Sequence, residues 1–260
     1  MKLFYRSFGS GDPVIILHGI LGISDNWVTI GKRLAEKFEV FIPDQRNHGH
    51  SPHSPTFNYF ALTDDLLEFI EEHELSNPIL IGHSMGGKVA MNFVLDVAFP
   101  VKKLVVIDIS TKGYLPRQTH IEIIHAMQSV DFDKITKRSE VETELTQIKS
   151  RRLRQFILKN LYRINDRRFG WRINLEAISE NLELISEGIE TDKAYDHPTL
   201  FIKGGASDYI QEGDLDLILK IFPQAVVKTI DGATHWLHAD KPDDLCLLLS
   251  DFLQKDCVYK

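Results

Sequence analysis

The sequence predicts an α/β fold, in which a mostly parallel sheet is covered by helices and interrupted by a helical insertion. Short apolar, β-rich runs alternate along the chain with amphipathic stretches of helical period, as in a parallel sheet flanked by helices. Between two of these runs, residues 110–191 show helical pattern without a convincing strand. A strandless segment of that length is typical of an inserted helical unit rather than a linker.

The predicted strands are six, and helical patterns separate them. The β-rich runs are Pro13–Leu17, Glu39–Ile42, Pro78–Ile81, Lys103–Ile107, Thr199–Lys203 and Ala225–Ile230. Residues 60–72 and 88–95 carry apolar side chains at the spacing of one buried helical face. A last helix over residues 242–253 opens with Asp243 and Asp244, which the positive end of the helix dipole favours.

The domain organisation follows from this alternation. We expect residues 1–110 and 192–260 to form the core domain, and residues 111–191 to form a helical cap inserted between strands 6 and 7. The cap segment is poor in glycine, proline and serine and so lacks the composition of a flexible linker.

Charge argues against nucleic acid as a partner. The 260-residue chain has a net charge of −7, whereas phosphate binding needs clustered lysine and arginine. The one dense basic stretch, Lys149–Arg154, is interpreted as the solvated face of a helix.

The sequence favours a soluble, cytoplasmic protein, monomeric or a small homo-oligomer. Residues 1–11 mix charged, aromatic and glycine residues and lack the apolar run of a signal peptide. No segment approaches the ~18 apolar residues of a membrane-spanning helix, so we expect no membrane insertion. Two cysteines, Cys246 and Cys257, do not make a disulfide framework.

The strongest motif is G-x-S-x-G at residues 82–86, which reads GHSMG. It follows a predicted strand and opens a predicted helix, the order that a nucleophile elbow requires. The sharp turn strains the backbone of the serine, while the flanking glycines let neighbouring chains approach closely. The serine also feels the positive end of the helix dipole. We predict that Ser84 is a catalytic nucleophile.

A serine hydroxyl is a poor nucleophile until a base removes its proton. His235 directly follows the last predicted strand, in the sequence DGATHW. In hydrolases with a nucleophile elbow the catalytic residues follow one another in the chain in the order serine, acid, histidine, and His235 fits that order. His238 is the nearest alternative, but we expect it to lie closer to the following helix. His235 is therefore the predicted base.

Backbone N–H groups are expected to bind the oxyanion of the reaction. One donor in such sites is the residue after the nucleophile, here Met85. The other comes from the loop after an early strand, here HGILG at residues 18–22, and Ile20 is the predicted donor.

The acid that orients the base has two candidates. Asp108 ends the apolar run Leu104–Ile107, and Asp208 lies in the loop after the run Thr199–Lys203. Functional groups gather at the carboxyl ends of strands in such sheets, and both positions qualify. A carboxylate at the end of an apolar strand is costly to bury without a partner, and a histidine beside Asp108 would supply one. Either residue would hold the imidazole in the required tautomer.

Four motifs along the chain resemble the α/β-hydrolase superfamily. They are HGILG at residues 18–22, DQRNHGHS at 44–51, GHSMGG at 82–87 and THWLHADKP at 234–242. The resemblance covers the whole chain and implies a mostly parallel, eight-stranded sheet. It also implies Ser84 as nucleophile and His235 as base.

A narrower resemblance is to the branch that contains the abhydrolase domain-containing protein 11 group and small bacterial carboxylesterases with acyl-thioesterase activity. Its motifs are RNHGHSP at residues 46–52, VVIDIS at 105–110, FGWRINLEAI at 169–178 and HWLHADKP at 235–242. The resemblance favours Asp108 over Asp208 as the acid. Arg46 and His48 belong to the shared motif, and we attribute them to a tight turn after the strand.

These observations predict a serine hydrolase that cleaves carboxylic esters or acyl thioesters through an acyl-enzyme, with no metal and no cofactor. The expected partner is a small-molecule acyl substrate. Its pocket is predicted to be lined by His18, Ile124, Met127, Trp171, Leu175 and Trp236. Dehalogenases and epoxide hydrolases need an aspartate where Ser84 stands. A carbon–carbon hydrolase or lyase on the same fold, and a non-catalytic binding homologue, remain alternatives.

Overall fold

The core of the protein is a sheet built from apolar, β-branched runs. The computed structural model describes residues 1–165 and 168–255. Its nine strands are β1 (Tyr5–Gly9), β2 (Pro13–Leu17), β3 (Glu39–Pro43), β4 (Ile79–His83), β5 (Lys103–Ile107), β6 (Leu161–Asn165), β7 (Arg168–Trp171), β8 (Thr199–Gly204) and β9 (Ala225–Ile230). The six predicted runs coincide with β2, β3, β4, β5, β8 and β9 to within two residues at each end, because each is rich in apolar residues, and all of them except β9 are largely buried.

The helices lie between the strands in the chain, except the last two, which follow β9. They are α1 (Val28–Leu34), α2 (Tyr59–Glu72), α3 (Met85–Asp96), α4 (Gln118–Gln128), α5 (Arg138–Glu144), α6 (Arg151–Ile157), α7 (Leu175–Glu180), α8 (Leu182–Ser186), α9 (Leu215–Ile221), α10 (Leu237–Asp240) and α11 (Pro242–Gln254). Short 3-10 turns occur at Ser24–Asn26, Leu158–Asn160 and Glu212–Asp214. The three helices predicted from periodicity correspond to α2, α3 and α11.

Seven strands form the main sheet, in the order β1-β3-β2-β4-β5-β8-β9. β1 pairs antiparallel with β3, and every other neighbouring pair is parallel. The eight strands that the resemblance implied are therefore seven in the described part of the chain. The difference lies before β2, where the described residues contribute a single strand, β1.

Two hydrophobic cores cover the two faces of the sheet. One lies against α1 and α11 and includes Ile30, Leu245 and Leu249, all fully buried. The other lies against α2, α3 and α9 and continues into the segment between β5 and β8. The sheet therefore has helices on both faces, as its continuous apolar strands require.

The segment between β5 and β8 holds α4 to α8 and the antiparallel hairpin of β6 and β7. The hairpin corrects the expectation that residues 110–191 have no strand. It was missed because most of β6 faces solvent, so its residues carry charge and lack an apolar run. In chain order the segment follows the fifth strand of the main sheet and precedes the sixth, since the sheet has seven strands. The division into core and cap domains stays a prediction.

We call residues 115–185 of this segment the cap segment. Two short stretches join it to the sheet, residues 111–114 and 186–189, and we call them together the neck. The Tyr114 N–H donates to the Ser186 carbonyl and the Ile189 N–H donates to the Thr111 carbonyl, both at 2.8 Å. Lys88 of α3 binds both segments of the neck. Its buried ammonium donates to the carbonyls of Thr111 (3.0 Å), Lys112 (2.7 Å) and Glu187 (3.0 Å). The cap segment is thus tied at both ends to the helix that begins after Ser84.

Two observations bear on the expected location and redox state. No helix within residues 1–165 and 168–255 is long and apolar enough to span a bilayer. Cys246 is a buried free thiol, and Cys257 lies outside the described residues.

The motif after β3 folds as a tight, buried turn, and Asn47 adopts a φ of 67° there. Arg46 donates to Asp65 of α2 through Nε (2.5 Å) and Nη2 (2.8 Å), so the pair is bidentate. The side chains of Arg46 and Asp65 are 9% and 3% exposed. Arg46 therefore fixes this loop to α2, in agreement with its structural interpretation.

We expect Asp65→Asn to destabilise the protein by about 3 kcal/mol, because it leaves the buried Arg46 cation without its counter-ion. Urea unfolding at pH 7 measures the loss. The matched control is Asp12→Asn, since Asp12 pairs with Lys102 at the surface, where both side chains are about half exposed. The control should cost less than ~1 kcal/mol. Equal effects of the two substitutions would contradict the structural role of the buried pair.

Candidate active site

Ser84 stands at the turn between β4 and α3, and its backbone is strained. Its φ of 54° and ψ of −120° lie outside the helical and extended regions. Only glycine fits at the two flanking positions. A Cβ at position 82 would lie 2.2 Å from the Gly86 carbonyl oxygen, and one at position 86 would lie 2.3 Å from the Leu17 carbonyl oxygen. The G-x-S-x-G spacing is thus what lets α3 pack this closely on the sheet.

His235 follows β9 and contacts Ser84 directly. Its Nε2 lies 3.0 Å from Ser84 Oγ, and its Nδ1 lies 2.8 Å from Asp108 Oδ2. His83, the residue before Ser84, binds the backbone of His235, because its Nε2 donates to the His235 carbonyl oxygen at 2.8 Å. The structure thereby brings Ser84, His235 and Asp108 into one hydrogen-bonded chain.

Asp108 is a fully buried carboxylate with several donors. It follows β5, adopts a φ of 51°, and has no exposed surface. Besides His235 Nδ1, it accepts the Gly204 N–H at 2.9 Å and the Ser207 hydroxyl. These donors offset the cost of burying a charge at the end of an apolar strand.

Asp208 lies elsewhere, in a position with no contact to the base. Its side chain is 70% exposed, and both oxygens accept from Arg117 Nη1, at 2.8 and 3.0 Å. Of the two candidate acids, the structure brings Asp108 to His235 and places Asp208 in an ion pair with the cap segment.

Tyr209 was not predicted from the sequence, yet it covers the face of His235. The two rings are stacked, with centroids 3.8 Å apart and planes 12° from parallel. The Arg117 guanidinium carbon lies 3.7 Å from the centroid of the Tyr209 ring. Two groups this close to one ring must occupy opposite faces, so Tyr209 is sandwiched between Arg117 and His235. A tyrosine next to Asp208 was the available signal, but the stack depends on distances that the sequence does not give.

Two backbone N–H groups adjoin Ser84. Within the described residues, the N–H groups of Ile20 and Met85 have no hydrogen-bond acceptor, and both residues line the same small cavity as Ser84. The carbonyl of the Gly19–Ile20 peptide accepts from the Gly22 N–H (3.0 Å) and from His18 Nδ1 (2.9 Å). Because the N–H of a trans peptide points opposite to its carbonyl, these two bonds fix the direction of the Ile20 donor.

His18 and His48 support this loop rather than lining a pocket. The Gln45 N–H donates to His18 Nε2 at 3.0 Å, so the proton of His18 is on Nδ1. The Leu21 N–H donates to His48 Nε2 at 3.2 Å, and Leu21 adopts a strained φ of 62°. Burial lowers the pKa of His18 to about 4 and that of His48 to about 3, which keeps both rings neutral.

Two cavities adjoin the reacting groups. The smaller has a volume of about 40 Å³, and its lining includes Ser84, Ile20 and Met85 as well as Tyr59, Leu182 and Ile185. The larger has a volume of about 520 Å³ and is lined by His235 and Trp236, with Ile123, Leu153 and Phe156 from the cap segment. Arg117, His120 and Tyr209 line both cavities, so the two cavities adjoin each other.

The predicted pocket residues divide in the structure. Trp236 lines the larger cavity. Ile124, Met127, Trp171 and Leu175 line neither cavity and pack in the hydrophobic core of the cap segment instead, where Trp171 Nε1 donates to the Met127 carbonyl at 2.9 Å. Helical period predicts that such residues are buried, but it does not say which buried face meets the site. Ile123, one residue before Ile124, is the one that lines the larger cavity.

The described residues contain no group of three or more histidine, cysteine, aspartate or glutamate side chains placed to bind a metal ion. The chemistry that the arrangement offers is proton transfer from Ser84 to His235, with the Asp108 carboxylate orienting the imidazole, beside two backbone donors.

Comparison with known proteins gives consistent matches along the chain. A family model described as alpha/beta hydrolase fold matches residues 12–242. The sn-1-specific diacylglycerol lipase ABHD11 of Danio rerio is 42% identical, over 98% of this chain and 83% of that protein. Esterase YbfF of Escherichia coli (strain K12) is 34% identical, over 94% of each. A solved structure described as a marine microorganism esterase has a TM-score of 0.93 and 43% identity, over 96% of this chain and 99% of that chain. The similarity is therefore not confined to single motifs.

Replacing either candidate acid by asparagine separates their roles. We expect Asp108→Asn to lower kcat by about 10⁴, because the amide no longer holds His235 in the required tautomer. We expect Asp208→Asn to lower kcat by less than ~10-fold, since it removes an exposed ion pair. Steady-state hydrolysis of a p-nitrophenyl ester measures both. A larger loss of kcat from Asp208→Asn than from Asp108→Asn would contradict this assignment and would identify Asp208 as the acid.

The neutral histidines predict how stability depends on pH. Histidine in the unfolded chain has a pKa near 6.5, whereas the folded values of His18 and His48 are about 4 and about 3. Below pH 6.5 the unfolded chain therefore binds protons that the folded chain does not. Stability is fully present above pH 6.5 and falls as the pH drops towards 4.

We expect His48→Gln to reduce the slope of unfolding free energy against pH in this window, by up to about 1.4 kcal/mol per pH unit. Urea unfolding at several pH values between 7.5 and 4.5 measures the slope, and His53→Gln at an exposed position is the control. A slope unchanged by His48→Gln would contradict a buried neutral ring.

Proposed function

The chain belongs to the alpha/beta hydrolase fold family, and we propose that within it the protein is a serine hydrolase of carboxylic esters or acyl thioesters. The observation that carries this proposal is the hydrogen-bonded chain from Ser84 through His235 to Asp108. Its order, nucleophile to base to buried carboxylate, is the one in which a serine hydroxyl becomes a nucleophile at neutral pH.

In the proposed mechanism, Ser84 Oγ attacks the acyl carbonyl while its proton passes to His235 Nε2, 3.0 Å away. The Asp108 carboxylate stabilises the imidazolium that forms. The N–H groups of Ile20 and Met85 bind the oxygen of the tetrahedral intermediate.

Collapse of this intermediate breaks the bond to the leaving group, which takes the proton from His235. Water then attacks the acyl-enzyme, again through His235, and releases the acid.

The relatives support ester cleavage as the reaction. Those from Danio rerio and Escherichia coli carry the names of a lipase and an esterase, and both names describe hydrolysis of a carboxylic ester. A thioester presents the same carbonyl to Ser84, and the leaving thiol needs less help from the base because it is the better leaving group. We therefore include acyl thioesters in the proposed activity.

The test is hydrolysis of p-nitrophenyl and coenzyme A esters by the native protein and by Ser84→Ala. Loss of the nucleophile should lower kcat by on the order of 10⁶. A fluorophosphonate probe should label the native protein and leave Ser84→Ala unlabelled. Turnover that survives in the variant would contradict the assignment of Ser84. A native protein that neither labels nor hydrolyses any ester would favour a lyase, a carbon–carbon hydrolase or a binding protein.

A further inference from the structure

The two cavities at Ser84 and His235 differ more than tenfold in volume, about 40 Å³ against about 520 Å³. Their positions relative to the reacting atoms decide which part of a substrate each one receives. The roles of the two cavities rest on the proposed function, in which an acyl group stays on Ser84 and a leaving group departs.

The acyl group belongs to the smaller cavity. After attack, the acyl carbon is bonded to Ser84 Oγ, and its oxygen points to the N–H groups of Ile20 and Met85. All three residues line the smaller cavity. The leaving group must take its proton from His235 Nε2, so it departs on the side of the imidazole. His235 lines the larger cavity, together with its neighbours Thr234 and Trp236.

A hydrogen bond holds part of the lining of the smaller cavity in place. Leu182 and Ile185 of α8 belong to this lining together with Tyr59, whose hydroxyl donates to the Ile185 carbonyl at 2.6 Å. Lys88, at the side of the same cavity, holds the neck through three carbonyls. A cavity of about 40 Å³ admits only a small group.

The larger cavity suits a long, mainly apolar group. Ile123, Leu153, Phe156 and Trp236 line it, and its charged side chains are paired, Arg117 with Asp208 and Arg152 with Asp240. It adjoins a third cavity of about 780 Å³ between α4 and α6, since Thr119, Ile123, Ser150 and Leu153 line both. A chain of many carbons can therefore extend away from His235 along the cap segment.

We propose that the substrates of this protein combine a short acyl group, of about two to four carbons, with a long apolar leaving group. Leu182, Ile185 and Tyr59 set the limit on the acyl side. Chain length on the two sides of the ester bond therefore has opposite effects on catalysis.

Two isomeric esters test this asymmetry, octyl acetate and ethyl octanoate. They have the same composition and the same ester bond, and differ only in which side carries the eight-carbon chain. We expect kcat/KM for octyl acetate to exceed that for ethyl octanoate by at least ~10-fold, because even one methylene too many in a fitted pocket costs about that much. Release of acid is followed by titration at constant pH, with Ser84→Ala as the blank.

A variant that enlarges the smaller cavity should change the selectivity. We expect Leu182→Ala to raise the ratio of kcat/KM for ethyl hexanoate to kcat/KM for octyl acetate at least ~10-fold. The matched control is Leu161→Ala. Leu161 is a cap-segment leucine of similar burial, 8% exposed against 7% for Leu182, and it lines none of the three cavities. If Leu182→Ala does not fold, the milder Ile185→Val should shift the acyl limit in the same direction.

The possible outcomes test the chain-length selectivity separately from the proposed serine-hydrolase activity. Faster hydrolysis of octyl acetate, with selectivity shifted by Leu182→Ala and not by Leu161→Ala, supports the inference. Equal or faster hydrolysis of ethyl octanoate, still dependent on Ser84, overturns the inference and leaves the proposed function standing. Failure of the native protein to hydrolyse any ester overturns both.

Discussion

The hydrogen bond from the Ser84 N–H to the Ile107 carbonyl, at 3.0 Å, ties the candidate nucleophile to the register of the sheet. A second bond of the same kind joins the Asp108 N–H to the Ile202 carbonyl at 2.8 Å. Ser84 and Asp108 each follow a parallel strand, and the backbone N–H of each donates to a carbonyl of the strand beside it. Their positive φ angles then turn both side chains to the same edge of the sheet. The distances to His235 depend on this pairing, because a slip of one residue would reverse both side chains.

Polar groups buried around the site make the arrangement rigid. His18 and His48 are neutral and each accepts one backbone N–H, so they hold two loops together without a charge in the interior. Lys88 carries its ammonium into the interior, where three carbonyl dipoles surround it, and burial lowers the pKa of Lys88 to about 7. The same three carbonyls belong to the neck, so the cap segment is held by the helix whose first turn adjoins Ser84.

The fold class, the family and the main strands could be predicted because they depend on local pattern. Apolar runs identify buried strands, and the G-x-S-x-G motif is a constraint between residues two positions apart. The choice between Asp108 and Asp208 could not be made from the residues, since both follow strands and only the distance to His235 separates them. The pocket prediction depended on how the cap helices are rotated, which is why Ile123 and Leu182 were missed and Ile124 was named. The β6–β7 hairpin was missed because most of β6 is exposed and its residues do not form an apolar run.

The neck has a consequence for building chimaeras from this protein. All covalent connections between the cap segment and the sheet pass through the two short segments of the neck, which hydrogen-bond to each other, so residues 111 and 189 are natural junctions for exchanging one cap for another. The graft must bring three carbonyls to Lys88, or replace this lysine, because a foreign neck would leave an ammonium buried without acceptors. Recombination libraries that take position 88 and both segments of the neck from the same parent should therefore retain more folded members than libraries cut inside the neck.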